Sequence, residues 1–590
     1  MDNDQVADLF ELVADLKELL AENRFRVAAY RRAAEAVRGC PWPVVGMSLE
    51  QLEAVSGIGE ALAEKIVELG QTGSIAAVEE LRAQVPPGLP VLLRIPGLGP
   101  KKLARIWQEL GVTNADELRG VLSDGRLAGL KGFGEKTAEK ILQGLAFAEQ
   151  SEQRTPLGVA WPLAEEVERF LSGLAGVKRV ASAGSLRRRR ETIGDLDFLA
   201  EAPGAAGEGG VGGDAAVGRA VCKAFSGMKG VESVLASGDA KASVLVAGSG
   251  FRIQMDLRVV PPESFGSALQ YFTGSQQHNI RLRERAVARG WKLNEWGLFD
   301  ADGRRLAGAS EEEIYQQLGL ICPPPELRED RGEFALEERP DLIELGDLRG
   351  DLHMHTTASD GRGTLEEMIE AARLLGHEYI CITDHSTSSF IANGLDASRM
   401  EEQIRLVRRA AESVAGIRVL VGSEVDIRSD GTLDYPDSLL AELDFVVASV
   451  HQGLDGAEEK LTRRVLRAIE NPYVCVIGHP TGRLINQRPP MKLDLAKVFR
   501  FAADTGTALE INSAWQRLDL SDVNIRAARD AGCRFCINTD AHAPGGLGNL
   551  RFGVATARRG GLTAGDVLNT RSVDDMLWLA RAKRRQMLSG

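Results

Sequence analysis

The last 240 residues contain nine side chains of the types that bind transition metals, each in or next to a short apolar run. Six of them are histidines, of which the whole chain has only eight. Imidazole and carboxylate groups together suit zinc, manganese or iron, whereas magnesium and calcium prefer oxygen ligands alone. Nine ligands exceed the needs of one ion, so the sequence predicts two or three metals, a phosphoester-cleaving arrangement. The nine are His353, His355, Asp360, His385, Glu424, His451, His479, Asp540 and His542.

The apolar runs that carry these ligands are expected to be the strands of a barrel. Helical patterns such as 365–376 and 401–414 lie between the runs. Repeated strand–helix units with polar residues at the strand ends are typical of a (β/α) barrel with its site at the carboxyl ends of the strands. An isolated histidine such as His278 or His377 is better explained as an ordinary core or surface residue. The lone CxxC of Cys533 and Cys536 is interpreted as buried strand.

Residues of about 348–575 resemble the PHP (polymerase and histidinol phosphatase) family. The motifs HxHxxxSDG, TDH, SVH, GHP and DAH and the glutamate are all present, with none of the nine ligands missing. The resemblance implies a distorted seven-unit barrel, three manganese, zinc or iron ions, and hydrolysis of a phosphodiester or phosphomonoester. Arg483, just after the GHP turn, is a candidate phosphate contact and equally an ordinary loop arginine.

Length and composition predict a soluble protein of several domains. A chain of 590 residues is too long for one core and should form three or four domains. It has an acidic start and no apolar run of membrane-spanning length, and its seven cysteines are irregularly spaced, so we expect a cytoplasmic protein without a disulfide framework. The net charge of −13 argues against non-specific nucleic-acid binding by the whole surface but leaves room for local basic grooves.

The N-terminal third repeats a pattern built around pairs of glycines. Segments 52–70, 92–111 and 127–145 each predict a helix, a tight turn and a second helix. Glycine tolerates positive φ, and the backbone N–H groups of such a turn are able to meet an anion. The pattern resembles the helix-hairpin-helix motif, which implies contacts to DNA phosphates, although the third copy is also explained by packing alone. The paired glycines are Gly57 and Gly59, Gly97 and Gly99, and Gly132 and Gly134.

A second candidate site lies in the segment ASAGSLRRRRETIGDLDFLA (181–200). Asp195 and Asp197 occupy alternate positions of one predicted strand, so their side chains point the same way and repel unless a cation lies between them. With Asp256 on a neighbouring strand, they would hold two Mg²⁺ or Mn²⁺ ions for nucleotidyl transfer. GDLD alone is equally explained by a turn and a strand, but the preceding glycine, serine and arginines favour a site.

These residues resemble the nucleotidyltransferase superfamily, specifically family X DNA polymerases, over roughly residues 1–320. The pattern GSxRR…GDxDxL matches, and the resemblance implies that the serine and second arginine hold the incoming triphosphate, since arginine bonds phosphate bidentately. Gln254 stands where the family often has an arginine. The implied nucleotide-binding residues of this segment are Gly184, Ser185, Arg188 and Gly194.

The segment YFTGSQQHNIRLRERA (271–286) resembles a second block of the same family. The resemblance implies that the aromatic pair lines the sugar pocket and excludes a 2′-hydroxyl. The asparagine would contact the minor-groove edge of the incoming base, and the arginine the template strand. The residues are Tyr271, Phe272, Gly274, Asn279 and Arg283.

Lys65 aligns with the Schiff-base lysine of lyase-competent relatives. Such a lysine needs some neutral amine, so burial or nearby cations must lower its pKa. Phe25 replaces a histidine of those relatives and Ala61 replaces a phosphate-binding lysine, while Arg26 and Arg31 keep the region basic. A DNA-backbone contact therefore explains Lys65 equally well.

The whole order resembles bacterial family X polymerases with a C-terminal PHP domain. The preferred hypothesis is a monomeric, gap-filling DNA polymerase for DNA repair, which uses dNTPs on gapped or primer–template DNA. Its barrel would be a manganese-dependent 3′–5′ exonuclease and a candidate for cutting abasic sites. The alternatives are a small-molecule phosphatase with a vestigial polymerase region and a DNA-end-binding scaffold. The predicted segments are a helical domain (1–85), a second helical subdomain (86–150), a mixed α/β palm (151–260) with a flexible insertion (203–218), a nucleotide-selecting subdomain (261–320), a linker (321–347) and the barrel (348–580).

Overall fold

The computed structural model describes most of the chain from residue 3 to residue 588 and divides into two compact units. The first comprises Met1–Arg154, Lys229–Ala236 and Val244–Ile253, and the second comprises Thr155–Met228, Ser237–Ser243 and Gln254–Gly590. In the described residues, we find no helix with the length and apolarity of a membrane span. The residues not described are 1–2, 21, 41–43, 56, 73–74, 76–77, 79, 82–83, 87, 93–97, 128, 131–132, 135–137, 139–140, 143–144, 146–153, 204–214, 249–250 and 589–590.

The N-terminal part of the first unit is helical and has one apolar core. Phe10 is fully buried and meets Tyr30 edge to face, with the ring centroids 5.7 Å apart. Ser48 starts its helix with a capping box, which satisfies N–H groups that have no partner within the helix. Buried residues of both predicted helical domains belong to this core. The helices are Asn3–Leu19, Arg24–Gly39, Leu49–Glu53, Glu60–Thr72, Leu89–Leu92, Pro100–Leu110 and Ala115–Ser123.

A five-stranded sheet positions the predicted aspartates. In the order of the sheet, its strands are Arg179–Ser182, Asp195–Glu201, Phe251–Val260, Lys241–Gly248 and Val231–Ser237. The second and third strands are parallel neighbours, and Asp197 pairs with Asp256 across them. The prediction that Asp256 lies on a strand next to the strand of Asp195 and Asp197 is confirmed. The remaining elements of this region are helices Leu157–Ser172, Gly184–Arg187 and Ala215–Ser226 and the strand pair Thr155–Pro156 and Thr192–Ile193.

The nucleotide-selecting region packs two helices against a small antiparallel sheet. Leu282, Leu298 and Tyr315 belong to its buried core. Most of the predicted flexible insertion, 204–214, lies outside the described residues. The elements are helices Pro262–Ser264 (3₁₀), Phe265–Thr273, Gln276–Val287 and Glu311–Gln317 and strands Lys292–Asn294, Gly297–Phe299 and Arg305–Ala307.

The C-terminal region is the predicted barrel, built on seven parallel strands in sequence order. The first and last strands approach each other through a bridge between Met354 and Ala541, which nearly closes the barrel. The strands are Gly350–Asp351, Tyr379–Ile382, Arg418–Asp426, Phe445–Ser449, Val476–Ile477, Ala508–Asn512 and Phe535–Asn538. The helices are Leu365–Leu374, Ala397–Ser413, Asp437–Leu440, Glu458–Glu470, Leu495–Thr505, Asp522–Asp530, Leu550–Arg559, Val573–Ala580 and Ala582–Leu588, with short 3₁₀ turns at Phe390–Ala392, Pro544–Asn549, Ala564–Asp566 and Leu568–Thr570.

The segment predicted as a linker, 321–347, is folded against both of its neighbours. Arg328 is 1% exposed and pairs with Glu311 of the nucleotide-selecting region, while Glu326 bonds to Arg558 of the barrel at 2.7 Å. The prolines and charges of this segment predict an exposed connection, but the segment lies in an interface. Burial is tolerated because its charged side chains are paired there. Its 3₁₀ turns are Pro325–Leu327, Glu333–Ala335 and Leu345–Asp347.

Candidate functional site

The barrel brings the predicted metal ligands to the carboxyl ends of its strands. His353 and His355 follow the first strand, and His385 and His451 follow the second and fourth. Ligand atoms fall into three groups, and within each group they all lie within 4.8 Å of one another. The groups are His355, Asp360, His385 and His542; His353, His355, Glu424 and Asp540; and His385, Glu424 and His451.

Glu424 lies at the centre of the ligands and is 1% exposed. Its Oε1 lies 2.9 Å from His479 Nε2 and 3.2 Å from His451 Nε2. Its Oε2 lies 3.0 Å from His385 Nδ1 and 3.3 Å from His353 Nε2. Burial alone would raise the pKa of this carboxyl, but the histidines around it hold that pKa well below its usual range. Glu424 thus has the position of a ligand shared between ions.

The residues present fit divalent metal ions. Among the described residues, several buried atoms that face the site make no hydrogen bond, and each such atom costs about 1–3 kcal/mol if it stays unsatisfied. Imidazole nitrogens and carboxylate oxygens of this kind are satisfied by a transition-metal ion. These atoms are His353 Nε2, His355 Nδ1, His385 Nδ1 and Glu424 Oε2.

Buried polar side chains that sequence reasoning missed hold the ligands in place. Glu510 Oε1 lies 2.7 Å from His353 Nδ1, and Asp426 Oδ1 lies 2.9 Å from His451 Nδ1. Metal-binding histidines commonly use their second nitrogen in this way, which fixes the ring and directs Nε2 at the ion. A signal existed for Glu510, since a carboxylate within the apolar run ALEIN must face a partner.

Arg483 has neither of the roles that the sequence left open. Its guanidinium donates to Glu191 of the palm at 2.6 Å and to the carbonyls of Arg517 and Leu518. It therefore joins the barrel to the palm instead of facing the ligands. Arg517 is the cation beside the site, with Nε 3.6 Å from Asp540 Oδ2 and about one-fifth of its side chain exposed.

The three predicted polymerase carboxylates also converge. One oxygen from each of Asp195, Asp197 and Asp256 lies within 4.8 Å of the others. Burial, Asp195 and Asp256 together raise the pKa of Asp197 to about 7, the expected result for carboxylates crowded without a cation. Ser243 donates to Asp256 Oδ1, and Gln254 donates to Asp256 Oδ2 at 2.8 Å. Gln254, the departure from the family pattern, therefore orients a catalytic candidate.

The glycine–serine turn lies directly against this carboxylate group. Gly184 has φ +59°, and a Cβ there would come within 2.4 Å of Asp197 Oδ2, so a side chain would displace the carboxylate. In the described part of the chain, the buried Ser185 Oγ has no hydrogen-bond partner, as expected for a ligand-binding hydroxyl. Arg188 follows on the same turn, with Nε 3.1 Å from Glu329. Gly194 directly precedes the Asp195 strand.

The YFTGS block forms one bonded group beside the palm. The rings of Tyr271 and Phe272 meet edge to face at 5.1 Å. Asn279 Nδ2 donates to the Tyr271 carbonyl at 2.7 Å, so this side chain holds the main chain at Tyr271, while its contact with the incoming base stays a prediction. Gly274 has φ +70°. Arg283 is exposed, and its contact with the template strand stays a prediction.

The predicted DNA-binding turns are only partly described, because Gly97 and Gly132 lie outside the described residues. Gly57 has φ +100°, and Gly59 begins the helix that carries Lys65, which is half-buried. Gly99 caps helix Pro100–Leu110, and the Gly134 carbonyl accepts from Ala138 N at 3.0 Å. The tight turn expected from Gly57 and Gly59 is confirmed, whereas the DNA contacts stay predictions.

The residues interpreted as structural are buried in cores. His278 lies between Glu333 at 2.7 Å and the Tyr315 hydroxyl at 2.6 Å. Cys533 and Cys536 are buried free thiols of the barrel. The interpretations of His278 and Cys536 are confirmed, whereas Cys533 is buried but lies before strand Phe535–Asn538.

Family models match most segments of the chain. The matches are the DNA polymerase beta thumb at 268–329, the PHP domain at 351–514, the helix-hairpin-helix domain at 1–75, and the SAM-like helix-hairpin-helix tandem at 49–111 and 89–146. The thumb match extends beyond the predicted limit at 320 and into the segment that we predicted as a linker.

The similar proteins include one that matches nearly the whole chain and others that match about a third of it. The DNA polymerase/3′-5′ exonuclease PolX of Bacillus subtilis (strain 168) is 38% identical over 578 residues, which are 98% of this chain and 99% of that protein. A probable phosphatase of Thermoanaerobacter sp. (strain X514) is 29% identical over 232 residues, 37% of this chain and 89% of its own length. A probable phosphatase of Caldicellulosiruptor saccharolyticus is 36% identical over 171 residues, 28% of this chain and 66% of its own.

Proposed function

This chain belongs to the family of the DNA polymerase/3′-5′ exonuclease PolX, and we propose that it extends DNA primers with dNTPs and removes nucleotides from 3′ ends. The observation that carries the proposal is the presence of two separate ligand clusters, the three aspartates of the palm and eight of the nine predicted residues of the barrel, with the ninth, His479, 2.9 Å from Glu424. The proposed partners are gapped or primer–template DNA and dNTPs, bound by a monomer. Cys222 and Cys381 are buried thiols, which agrees with action in the reducing cytoplasm.

At the palm, the chain's own residues bind and orient the nucleotide. Ser185 and Arg188 are assigned the triphosphate, and Tyr271 the sugar. Gln254 and Ser243 hold Asp256 in place. Divalent ions, Mg²⁺ or Mn²⁺, would when bound activate the primer hydroxyl and stabilise the leaving oxygens.

At the barrel, Glu510 and Asp426 orient the histidines and Glu424 supplies the shared carboxylate. The donor set of imidazole and carboxylate suits two or three manganese, zinc or iron ions. Such ions would when bound supply a nucleophile at neutral pH and stabilise charge on the leaving oxygen. We assign to Arg517 the substrate-phosphate contact, because it is the partly exposed guanidinium beside Asp540. The same chemistry would cut at abasic sites.

The proposal is tested on a gapped duplex with a labelled primer, in Mg²⁺ or Mn²⁺, with and without dNTPs. We expect extension when dNTPs are present and 3′ shortening when they are absent, the latter favoured by Mn²⁺. A protein that only hydrolyses a small phosphate ester would neither extend nor shorten the primer. A scaffold would bind the duplex and leave the label unchanged.

The phosphatase alternative has support from relatives of the barrel only. Relatives named as probable phosphatases match between 28% and 41% of this chain, whereas the polymerase carboxylates and the turn at Gly184 lie outside the barrel and are intact. Gly184 leaves room for the Asp197 carboxylate, which agrees with a working palm site. The polymerase and exonuclease function is therefore favoured.

A further inference from the structure

A buried network of charges joins the nucleotide-binding turn of the palm to the barrel. Arg188 donates from Nε to Glu329 at 3.1 Å and from Nη1 to the Thr273 carbonyl. Arg559, at the end of a barrel helix, donates to the same Glu329 oxygen at 3.0 Å and to Asp522 at 2.7 Å. Arg559 is 5% exposed and Glu329 8%, so these bonds are shielded from water.

Arg559 also holds the backbone of the turn itself. Its Nη1 donates to the carbonyl of Arg188 at 2.6 Å. The next residue, Arg189, has φ +57°, a conformation that few side chains adopt without outside support, and its guanidinium stacks over Trp161 at 3.5 Å. One barrel side chain thus fixes both the main chain of Arg188 and the carboxylate that orients its side chain.

The charges of the network favour an anion. Four guanidinium groups share two carboxylates, which leaves an excess of two positive charges among these six side chains. Three of these arginines share the single carboxylate of Glu329, which therefore does not neutralise all of them. Positive charge remains at Arg188 for binding phosphate. The six are Arg188, Arg190, Arg331, Arg559, Glu329 and Asp522.

We propose that Arg559 and Glu329 are positioning residues for Arg188, so that the barrel sets the affinity of the polymerase site for the triphosphate of the incoming nucleotide. The inference rests on the proposed polymerase function, in which Arg188 binds that triphosphate. Without Arg559, the turn loses the bond to the Arg188 carbonyl, and Glu329 loses a donor that holds its Oε1 in place for Arg188. Both effects weaken ground-state binding of the nucleotide.

The test is single-nucleotide extension of a gapped duplex by the full chain over a range of dNTP concentrations. Arg559→Met should raise KM for dNTP by about 10-fold, the scale of one lost bond to a charged group, with a much smaller change in kcat. Arg559→Lys should give an intermediate KM, because lysine restores the positive charge but not the several N–H donors of the planar guanidinium group. Exonuclease activity and bound metal should stay at the parent level.

Arg558→Met is the matched control. Arg558 lies on the same helix and bonds to Glu326 at 2.7 Å and to the Ile343 carbonyl at 2.9 Å, so its loss breaks an interface bond that involves neither Arg188 nor Glu329. Its KM for dNTP should match the parent. Glu329→Gln should raise KM, and combined with Arg559→Met it should add less than the sum of the single effects.

Three outcomes would overturn the inference. They are a parental KM in both Arg559 variants, an equal rise in Arg558→Met, or strict additivity with Glu329→Gln. If Arg559→Met does not fold, Arg559→Lys and Glu329→Gln carry the same test. The Arg188→Ala variant separates two failures: a raised KM there with parental KM at Arg559 refutes the inference alone, whereas a parental KM in Arg188→Ala refutes the assignment of Arg188 as well.

Discussion

The Glu510→Gln variant should lower the metal affinity of the barrel without changing the size of a buried side chain. Glu510 is fully buried and accepts four bonds. Oε1 receives His353 Nδ1 at 2.7 Å and Asn538 Nδ2 at 2.9 Å. Oε2 receives the His479 backbone N–H at 2.7 Å and Asn512 Nδ2 at 3.1 Å. An amide must turn its NH₂ group toward one of these pairs.

The His479 side cannot adapt, because a backbone N–H is always a donor. The NH₂ group is therefore expected on the His353 side, where the ring is able to shift its proton to Nε2 and accept at Nδ1. That proton occupies the lone pair that would bind the ion. Loss of such a partner typically costs 10–100-fold in metal affinity, about 1.4–2.7 kcal/mol.

The assay is metal content after dialysis, followed by titration of exonuclease activity with Mn²⁺. Glu510→Gln should need about 10–100-fold more Mn²⁺, while primer extension stays at the parent level. Glu326→Gln is the control, since it alters a buried carboxylate that bonds to Arg558 instead of a ligand. Parental metal affinity in Glu510→Gln would refute the orienting role of Glu510.

Asp256→Ala should abolish primer extension and leave the exonuclease activity intact, because each ligand cluster lies within its own region. Both activities are measured on one labelled substrate. Loss of both from a folded protein would contradict two separate sites. His353→Ala should lower bound metal and remove the exonuclease while extension survives, and an unimpaired exonuclease would move cleavage elsewhere. Tyr271→Ala should raise ribonucleotide incorporation or change overall activity, and the sugar-pocket assignment is wrong if neither changes. Borohydride trapping on incised abasic DNA decides the role of Lys65. An adduct that disappears in Lys65→Ala supports a lyase, whereas no adduct, with weaker DNA binding in the variant, identifies a phosphate contact.

The sequence predicted the elements and the ligand clusters well, because their signals are local. Apolar runs that end in polar residues identify parallel strands, and such ends meet at one face of a barrel. His353 and His355 needed no distant information, since alternate residues of an extended chain share a face. Asp195 and Asp197 were predictable for the same reason.

The contacts between regions were not predictable from local pattern. Arg483 follows a ligand histidine in sequence, but its long side chain reaches Glu191, 292 positions away. Arg328 and Glu329 lie in a segment whose prolines and charges are typical of an exposed linker. They are buried because oppositely charged side chains from other segments pair with them. Whether a charged side chain finds a partner depends on which distant segments the fold brings together. The spacing of residues along the sequence does not contain that information.

The near closure of the barrel gives its metal site a second consequence. The N–H of Asp540 donates to the His353 carbonyl, and the N–H of His355 donates to the Ala541 carbonyl, each at 2.9 Å, so candidate ligands form the seam between the first and last strands. His355 and Asp540 are 185 residues apart in sequence. An ion held by both would act as a reversible cross-link across a long loop, and its binding free energy would become part of the folding free energy of the barrel. The metal concentration would then determine the stability of the closed barrel as well as its nuclease activity.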